Sequence, residues 1–154
     1  MSVIEARLKE LDITLPEAPA PAANYVPYKI VGNQVFISGQ TAKWNGEYLF
    51  TGKLGKELDI EEGQQAARTC AINILVQLKN ALNGDLDRVK SCVRLGIYVN
   101  STPEFKKHPL VGNGASNLIV EVLGDKGRHS RAAVGCNSLP EDTPVEVDAV
   151  FEIA

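Results

Sequence analysis

The sequence feature that most constrains the fold is a long run of apolar residues at helical spacing in the middle of the chain. Asp59 and Glu62 form a pair typical of a helix N-terminus, and Asn83-Gly84 is typical of a helix end. The apolar positions between them are Ala66, Ala67, Cys70, Ala71, Ile74, Leu75, Leu78, Ala81 and Leu82. They form one stripe along an amphipathic helix, so the rest of the chain must supply an apolar surface that covers it.

Segments with a period of two residues predict that this surface is a β-sheet. Two β-rich runs, 25–31 and 34–38, are separated by Gly32-Asn33, which suits a tight hairpin turn. Asn45-Gly46 predicts a second turn before residues 47–52. In the strand expected after the long helix, one face holds Val89, Val93, Leu95, Ile97 and Val99, and the other holds Lys90, Cys92, Arg94 and Tyr98.

The C-terminal part of the chain is predicted to form a β-hairpin. Residues 131–138 are a β-rich run, and the turn-like segment LPEDTP follows them. In the last run, Val145, Val147, Ala149, Phe151 and Ile153 alternate with Glu146, Asp148 and Glu152.

Two further helices complete the expected fold. The apolar spacing from about Asn113 to Leu123 predicts a second helix that Gly124 ends. Residues 1–20 are interpreted as an N-terminal extension, a short helix with Ile4 and Leu8 on one side followed by a Pro/Ala-rich linker. The order of elements predicts a single α+β domain over residues 1–154, with the two main helices packed on one face of a mixed or antiparallel sheet. The other sheet face then needs a cover, which we expect to be another subunit.

Composition narrows the possible functions. Sixteen Lys and Arg against nineteen Asp and Glu give a net charge of −3, which does not favour nucleic acid as a partner. Cys70, Cys92 and Cys136 are an odd number without close spacing and only two histidines are present, so we expect buried, reduced thiols, no disulfide framework and no metal site. No run approaches the ~20 apolar residues that cross a bilayer, and we expect a cytoplasmic protein without a membrane partner.

The residues that could carry chemistry are polar groups inside otherwise apolar strands. Arg131 opens one β-run, and Glu146 and Asp148 lie inside another; a solvated outer sheet face would also explain them. If the hairpin turns near Leu139-Pro140, Ala133 lies opposite Glu146 and Arg131 is two residues away on the same face. An arginine fork suits a carboxylate and a nearby acid can orient a water, so this arrangement would outline a carboxylate-binding hydrolytic site.

Four segments together resemble the reactive-intermediate deaminase family, known as RidA or YjgF. The segment GRHSRAAVGCNSLPEDTPVEVDAVFEI is similar to the family's C-terminal signature, and ANYVPYKIVGNQVFISGQT to its first hairpin. TGKLGKELDIEEGQQAARTCAINIL resembles its long helix, and GDLDRVKSCVRLGIYVNSTPEF its next strand. Together they cover nearly all of the chain beyond about residue 20, in the family's order and spacing.

The resemblance implies a chorismate-mutase-like fold and a homotrimer with a central barrel, in which each site lies between neighbouring subunits. It implies that Arg131 binds the substrate carboxylate, that Glu146 helps to position the attacking water, and that the backbone carbonyl of Ala133 accepts a hydrogen bond from that water. The remaining pocket positions are Tyr25, Ser38, Gly39 and Asn113. The family's reaction is hydrolysis of an enamine or imine, such as 2-aminoacrylate after tautomerising to 2-iminopropionate, to a 2-keto acid and ammonium, and it needs no cofactor.

Three departures place the chain in a divergent branch of that family. Ala133 stands where many members have cysteine, an extension precedes the first hairpin, and an insertion between Asn113 and Arg131 ends in GDKGRH. His129 lies two residues before Arg131 and either lines the mouth of the pocket or has no role in it.

Two other functions compete with imine hydrolysis. A non-catalytic trimer could bind small carboxylates or keto acids in the same cleft, but such a binder gains nothing from Glu146 beside its anionic ligand. Ribonuclease activity would require a basic groove or a general acid–base pair suited to phosphodiesters, and the acidic balance of the chain argues against it.

Overall fold

The computed structural model describes residues 2–21 and 23–154, and within them helices and strands follow one another as the sequence pattern predicts. The helices and strands are α1 (Val3–Glu10), β1 (Tyr28–Val31), β2 (Gln34–Thr41), β3 (Lys43–Trp44), β4 (Glu47–Tyr48), α2 (Ile60–Ala81), β5 (Val89–Asn100), α3 (His108–Leu123), β6 (Ser130–Cys136) and β7 (Val145–Ile153). None of these helices combines the length and apolarity needed to cross a membrane.

The main sheet has five strands in the order β1-β2-β7-β5-β6, so the last strand of the chain is the central one. Strands β1, β2, β7 and β5 pair antiparallel, whereas β6 pairs parallel with β5. Helices α2 and α3 pack against each other and against this sheet. The predicted α+β class with a mixed sheet and the main helices on one face is therefore confirmed.

The predicted terminal hairpin is wrong, because β5 lies between β6 and β7. The chain leaves β5, passes through α3 and returns as β6 parallel to β5, which requires a long crossover connection. It then crosses the end of β5, where the amide of Asn100 donates to the carbonyl of Pro144 at 2.8 Å. Strand β7 therefore pairs with β5, and Glu146 lies opposite Tyr98 rather than opposite Ala133.

Helix α2 forms the centre of the core. Its N-terminus is fixed as predicted, because the Glu62 amide donates to Asp59 Oδ1 at 2.8 Å and the Asp59 amide donates to Glu62 Oε1 at 3.1 Å. Ile74, Leu75 and Leu78 are fully buried, and each contributes about 1.5–3 kcal/mol by leaving water. The alternation predicted for the C-terminal run is also present, since every second residue of β7 is buried.

In the first part of strand β5, side chains do not lie on the sheet faces that the sequence pattern predicts. Register shifts occur between Val89 and Ser91 and between Cys92 and Arg94. Each shift inserts a residue and moves the following side chains to the other face. Cys92 is therefore buried in the core while Val93 is 39 % exposed, the reverse of the predicted arrangement.

The second predicted helix is confirmed but begins earlier, at His108, and ends at Gly124, whose φ is 64°. Pro109 is tolerated in the first turn because its missing amide hydrogen would have no partner there. The short N-terminal helix is also present. The Pro-rich segment after it, residues 12–21, is here called the strap, and Gln77 Nε2 holds it by donating to the Pro19 carbonyl at 3.0 Å.

The sheet face opposite the main helices carries a mixed surface. Phe36 and Val134 are 43 % and 47 % exposed there. Between them, Arg94 Nη1 lies 3.3 Å from Asp148 Oδ1, and the Tyr98 hydroxyl donates to Asp148 Oδ2 at 3.1 Å. This face is available to a partner, and the homotrimer stays a prediction.

Candidate active site

The first cluster of functional side chains lies between β6 and the start of α3. Arg131 pairs with buried Leu95 and therefore points to the helix-covered face. Its Nη1 donates to Asn113 Oδ1 and to Ser116 Oγ, each at 3.0 Å, and its Nη2 donates to the Pro109 carbonyl at 3.1 Å. All three acceptors are neutral, so they fix the guanidinium without cancelling its charge.

His129 extends this cluster behind Ser116. Its Nδ1 is 2.6 Å from the Gly127 carbonyl and its Nε2 is 2.9 Å from Ser116 Oγ. A carbonyl can only accept, so in the neutral ring Nδ1 carries the proton and Nε2 accepts from the Ser116 hydroxyl. His129 therefore orients Ser116, which in turn accepts from Arg131.

Ala133 is the next residue of β6 on the same face as Arg131. Helix α3 approaches closely here because residue 112 is glycine: a Cβ on Gly112 would lie 3.3 Å from Arg131 Nη1 and 3.5 Å from the Cβ of Ala133. The structure thus brings together three of the predicted site residues, Arg131, Ala133 and Asn113.

The second cluster lies on the other face of the sheet, around Glu146. The register of β2 against β7 shifts between Ile37 and Gln40, and Gly39 lies in that irregular stretch. A Cβ on Gly39 would be 2.5 Å from Glu146 Oε2, so a side chain at this position would displace the carboxylate from its place over the strand.

Two more predicted residues surround this carboxylate. Tyr25 and Gly39 line one cavity with Glu146, and the strap adds Pro19 and Pro21 to its wall. Ser38 is adjacent to Gly39, and its hydroxyl donates to the Val26 carbonyl at 2.7 Å, which ties the segment carrying Tyr25 to β2.

The environment of Glu146 alters its protonation. Burial raises the pKa of this carboxyl above its ordinary value, and the negative charge of Asp148 raises it further. A carboxyl whose pKa is moved toward neutrality is suited to accepting and returning a proton. Asp148 itself is paired with Arg94.

Within one chain the two clusters do not meet. The expectation that Arg131 and Glu146 share a pocket across a hairpin is wrong, because β5 separates their strands and their side chains point to opposite faces. Arg131 is aligned with Leu95 on the helix side, whereas Glu146 is aligned with Tyr98 on the open side. Each cluster is half of the predicted site.

Sequence reasoning missed Ser116 and gave His129 no defined contact. The available signal for Ser116 was its spacing of three residues from Asn113, which places both on one helix face. The expectation for the thiols holds in part: Cys70 and Cys92 are buried but Cys136 is only half-buried. Burial raises the pKa of Cys92 to about 12.

The sequence and the fold are similar to those of several known proteins. The family described as "YjgF/chorismate_mutase-like, putative endoribonuclease" matches residues 5–150. Protein TCP17 of Trypanosoma cruzi is 49% identical over 151 residues, which is 97% of this chain and 94% of that protein. A protein of unknown function from Agrobacterium tumefaciens is 52% identical, with a TM-score of 0.93 over 99% of this chain and 93% of its own.

Two other solved structures share the fold. A protein from Shewanella oneidensis that also carries the endoribonuclease description is 36% identical, with a TM-score of 0.95 over 99% of this chain and 100% of its own. The E. coli protein TdcF, solved with bound serine, is 19% identical, with a TM-score of 0.64 over 89% of this chain and 94% of its own.

Proposed function

Since the chain belongs to the YjgF/chorismate mutase-like family, we propose that it hydrolyses reactive imines and enamines of amino acids to 2-keto acids and ammonium. A representative substrate is 2-iminopropionate formed from 2-aminoacrylate. The observation that carries the proposal is the guanidinium of Arg131, which is held by three neutral acceptors beside Ala133. TdcF, which has the same fold, holds serine, a small molecule with the carboxylate that such a site would bind.

Arg131 supplies substrate binding. An arginine has more N–H donors than these three acceptors occupy, and they lie in a planar fork. A substrate carboxylate can take the remaining donors and neutralise the charge, and a charge-assisted pair of this kind is worth about 1.5–3 kcal/mol.

The second half of the site is proposed to come from a neighbouring subunit. The main sheet has two unpaired edges, β1 and β6, at opposite ends. Different edges that meet head to tail generate a ring of copies if the rotation between them closes, and in the proposed ring the mixed open face of each sheet turns toward the interior. In the proposed homotrimer, Arg131, Ala133 and Asn113 of one subunit face Tyr25, Ser38, Gly39 and Glu146 of the next.

The proposed reaction requires that the substrate and a water are held in position and that one side chain transfers protons. A protonated imine is already electrophilic, and docking its carboxylate on Arg131 aligns the C=N carbon with a water. The Ala133 carbonyl accepts a hydrogen bond from that water while Glu146 takes its proton. The water oxygen bonds to carbon as the C=N π electrons move to nitrogen, and Glu146 then returns the proton to that nitrogen. The C–N bond breaks while the hydroxyl oxygen forms the keto C=O and gives its proton to Glu146. Glu146 passes this proton to the departing ammonia, so ammonium and the 2-keto acid leave. The raised pKa of Glu146 suits both accepting and returning protons.

Glu146 also distinguishes this reaction from its rivals. A non-catalytic binder of carboxylates would be weakened by a second anion near its ligand, whereas a developing iminium or ammonium nitrogen is stabilised by one. An RNA phosphodiester would be repelled, because this face holds two carboxylates, Glu146 and Asp148, and Arg94 pairs with only the second of them.

The test generates imines in situ from several amino acids with an amino acid oxidase and follows a semicarbazide-trapped adduct with and without the protein. Faster loss of the imine is expected. A rate equal to the buffer rate for every imine, from protein that is trimeric by light scattering, would overturn the proposed hydrolysis.

Mixing two inactive variants tests the shared site. Arg131→Ala retains the Glu146 half and Glu146→Gln retains the Arg131 half, so subunits exchanged at equal amounts regain about a quarter of the sites in a ring with one interface type. Recovery is expected only after the trimers are dissociated and reassembled together. No recovery in verified mixed trimers would show that both residues act within one subunit.

A further inference from the structure

A second cleft lies beyond Ala133 along the same face of β6. It has a volume of about 390 Å³ and is lined by Lys53, Ser101, Thr102, Pro103, Phe105, His108, Gly135, Cys136 and Asn137. Gly135 follows Arg131 and Ala133 at intervals of two residues, so the three positions form a row on one strand face. Gly135, in the wall of the cleft, is thus two residues farther along the strand than Ala133, and we call this cleft the Lys53 cleft.

Ser101 and His108 form the floor of the Lys53 cleft. Ser101 Oγ is 3.1 Å from His108 Nε2, and Ser101 is only 9% exposed. A Cβ on Gly135 would lie 2.6 Å from His108 Nε2 and 2.8 Å from Ser101 Oγ, so glycine is what admits this polar pair over the strand. The His108 and Phe105 rings pack in a T-shaped arrangement with centroids 5.3 Å apart, which restricts the orientation of the His108 ring.

Lys53 gives the cleft its charge. Its ammonium donates to Asn100 Oδ1 and to the Asn137 carbonyl, each at 2.6 Å. Both acceptors are neutral, and an ammonium has one more N–H to offer. The nearby Asp142 carboxylate is occupied by the side-chain amide of Asn100 at 2.9 Å, so it reduces the local positive charge without pairing with the lysine directly.

We propose that the Lys53 cleft binds an anionic group at the end of the substrate side chain, so that imines of acidic amino acids are preferred substrates. This inference rests on the proposed hydrolysis. Residues two apart on a strand are about 7 Å apart. A Cβ on Gly112 would lie 3.3 Å from Arg131 Nη1 and 3.5 Å from the Cβ of Ala133, so the guanidinium lies near Ala133. A substrate with its first carboxylate on Arg131 and its imine carbon beside Ala133 directs its side chain toward Gly135, where a second carboxylate meets Lys53 and the Ser101–His108 pair.

Binding of product analogues tests the cleft without any variant. 2-Oxoglutarate and 2-oxopentanoate have the same number of carbons and differ in the distal carboxylate. Calorimetry should show at least ~10-fold tighter binding of 2-oxoglutarate, the equivalent of one charge-assisted hydrogen bond. Equal or weaker binding of the dicarboxylate would overturn the proposal.

Kinetics on variants assign the preference to Lys53. Lys53→Gln should lower the ratio of kcat/KM for the imine of glutamate over that of 2-aminobutyrate by about 10-fold, and Lys53→Arg should retain most of it. Lys56→Gln is the matched control, because the Lys56 side chain is 74% exposed on the same loop. An unchanged ratio in folded, trimeric Lys53→Gln would overturn the proposal.

The two proposals fail in different ways. Hydrolysis of neutral imines with no preference for acidic ones leaves the proposed function in place and removes the role of the cleft. Absence of hydrolysis together with Lys53-dependent binding of 2-oxoglutarate removes the enzymatic function and keeps an anion site.

Discussion

The Arg131 cluster and the Glu146 cluster are built in different ways. Arg131 is held by α3 through residues 15 to 22 positions away in sequence, with three hydrogen bonds of 3.0–3.1 Å. Glu146 is surrounded by Tyr25, Gly39 and the strap, which are more than 100 residues distant in the chain. The first cluster is therefore fixed by a local unit with its own hydrogen bonds, whereas the second depends on long-range register and close packing.

The largest effect is expected from Arg131→Ala. Loss of the carboxylate contact costs about 10-fold and loss of alignment about another 100-fold, so imine hydrolysis should fall by roughly 1,000-fold. Arg131→Lys should recover little, because an ammonium cannot reproduce the bidentate fork. The oxidase-coupled assay measures the rate, and light scattering checks that the variant keeps the oligomeric state of the unchanged protein. Normal hydrolysis by Arg131→Ala would show that the site assignment is wrong.

Glu146→Gln keeps the shape of the side chain and removes its charge. Turnover should fall by about 100-fold, the scale of a lost general acid–base group, while binding of a keto-acid product changes less. Comparable losses in turnover and in product binding would instead assign Glu146 to binding.

The pH profile gives a second readout of Glu146. In the proposed mechanism the carboxylate form accepts the water's proton, so activity should decline as the pH falls through the pKa of Glu146, which burial and Asp148 raise. The acid limb of kcat/KM should therefore lie above the ordinary range of a glutamate, and it should be absent in Glu146→Gln. An acid limb that is unchanged in the variant would belong to another group.

A pair of glycine substitutions compares the two clusters directly. In Gly39→Ala the new Cβ would lie 2.5 Å from Glu146 Oε2, so the carboxylate must move, and a displacement near 1 Å can cost about 100-fold in rate. In Gly112→Ala the new Cβ would meet Ile97 Cδ1 at 3.0 Å and Arg131 Nη1 at 3.3 Å, which small side-chain shifts can absorb. Rate measurements should show a large loss for Gly39→Ala and a small one for Gly112→Ala; the reverse order would contradict the proposed difference between the clusters.

A smaller effect on activity is expected when the residues that hold Arg131 in place are changed. Ser116→Ala removes one neutral acceptor, worth about 0.5–1.5 kcal/mol, so KM should rise several-fold with little change in kcat. The double variant His129→Ala, Ser116→Ala should be no worse than Ser116→Ala alone, because His129 acts through Ser116. Additive losses would assign His129 a separate role.

The smallest effect is expected from thiol modification. Burial raises the pKa of Cys70 and Cys92, and burial together with the charge of Glu146 raises that of Cys136. Thiols that resist ionisation react slowly, so iodoacetamide should leave the native protein active. Complete inactivation that tracks modification of one cysteine would contradict this.

Sequence patterns predicted the features that depend on neighbouring residues. They missed the features that depend on the order of strands in the sheet. The capping pair Asp59 and Glu62 and the alternation of β7 follow directly from neighbouring residues. The prediction of a β6–β7 hairpin was wrong because the alternation of apolar residues along a strand does not determine which strands become its neighbours. Val93 was misplaced because a bulge carries no apolar signature of its own.

The residues of the candidate site were likewise predicted only in part. The resemblance to a known family identified Arg131, Ala133 and Asn113, which the structure brings together. It could not show that Glu146 points to the opposite sheet face, since that depends on β5 lying between β6 and β7. Ser116 and Lys53 were missed because one polar residue on a helix or loop looks like ordinary surface until its partners are known.

The central position of β7 has a consequence for biosynthesis. Strand β7 lies between β2 and β5, yet its residues 145–153 are synthesised after both of them. A nascent chain with β2 and β5 already made carries two unsatisfied strand edges, and α2 lacks part of the surface that buries it. Such edges are prone to pair with other chains, and long-range pairing of this kind slows folding. Completion of the sheet, and with it the cavity around Glu146, must await synthesis of residues 145–153.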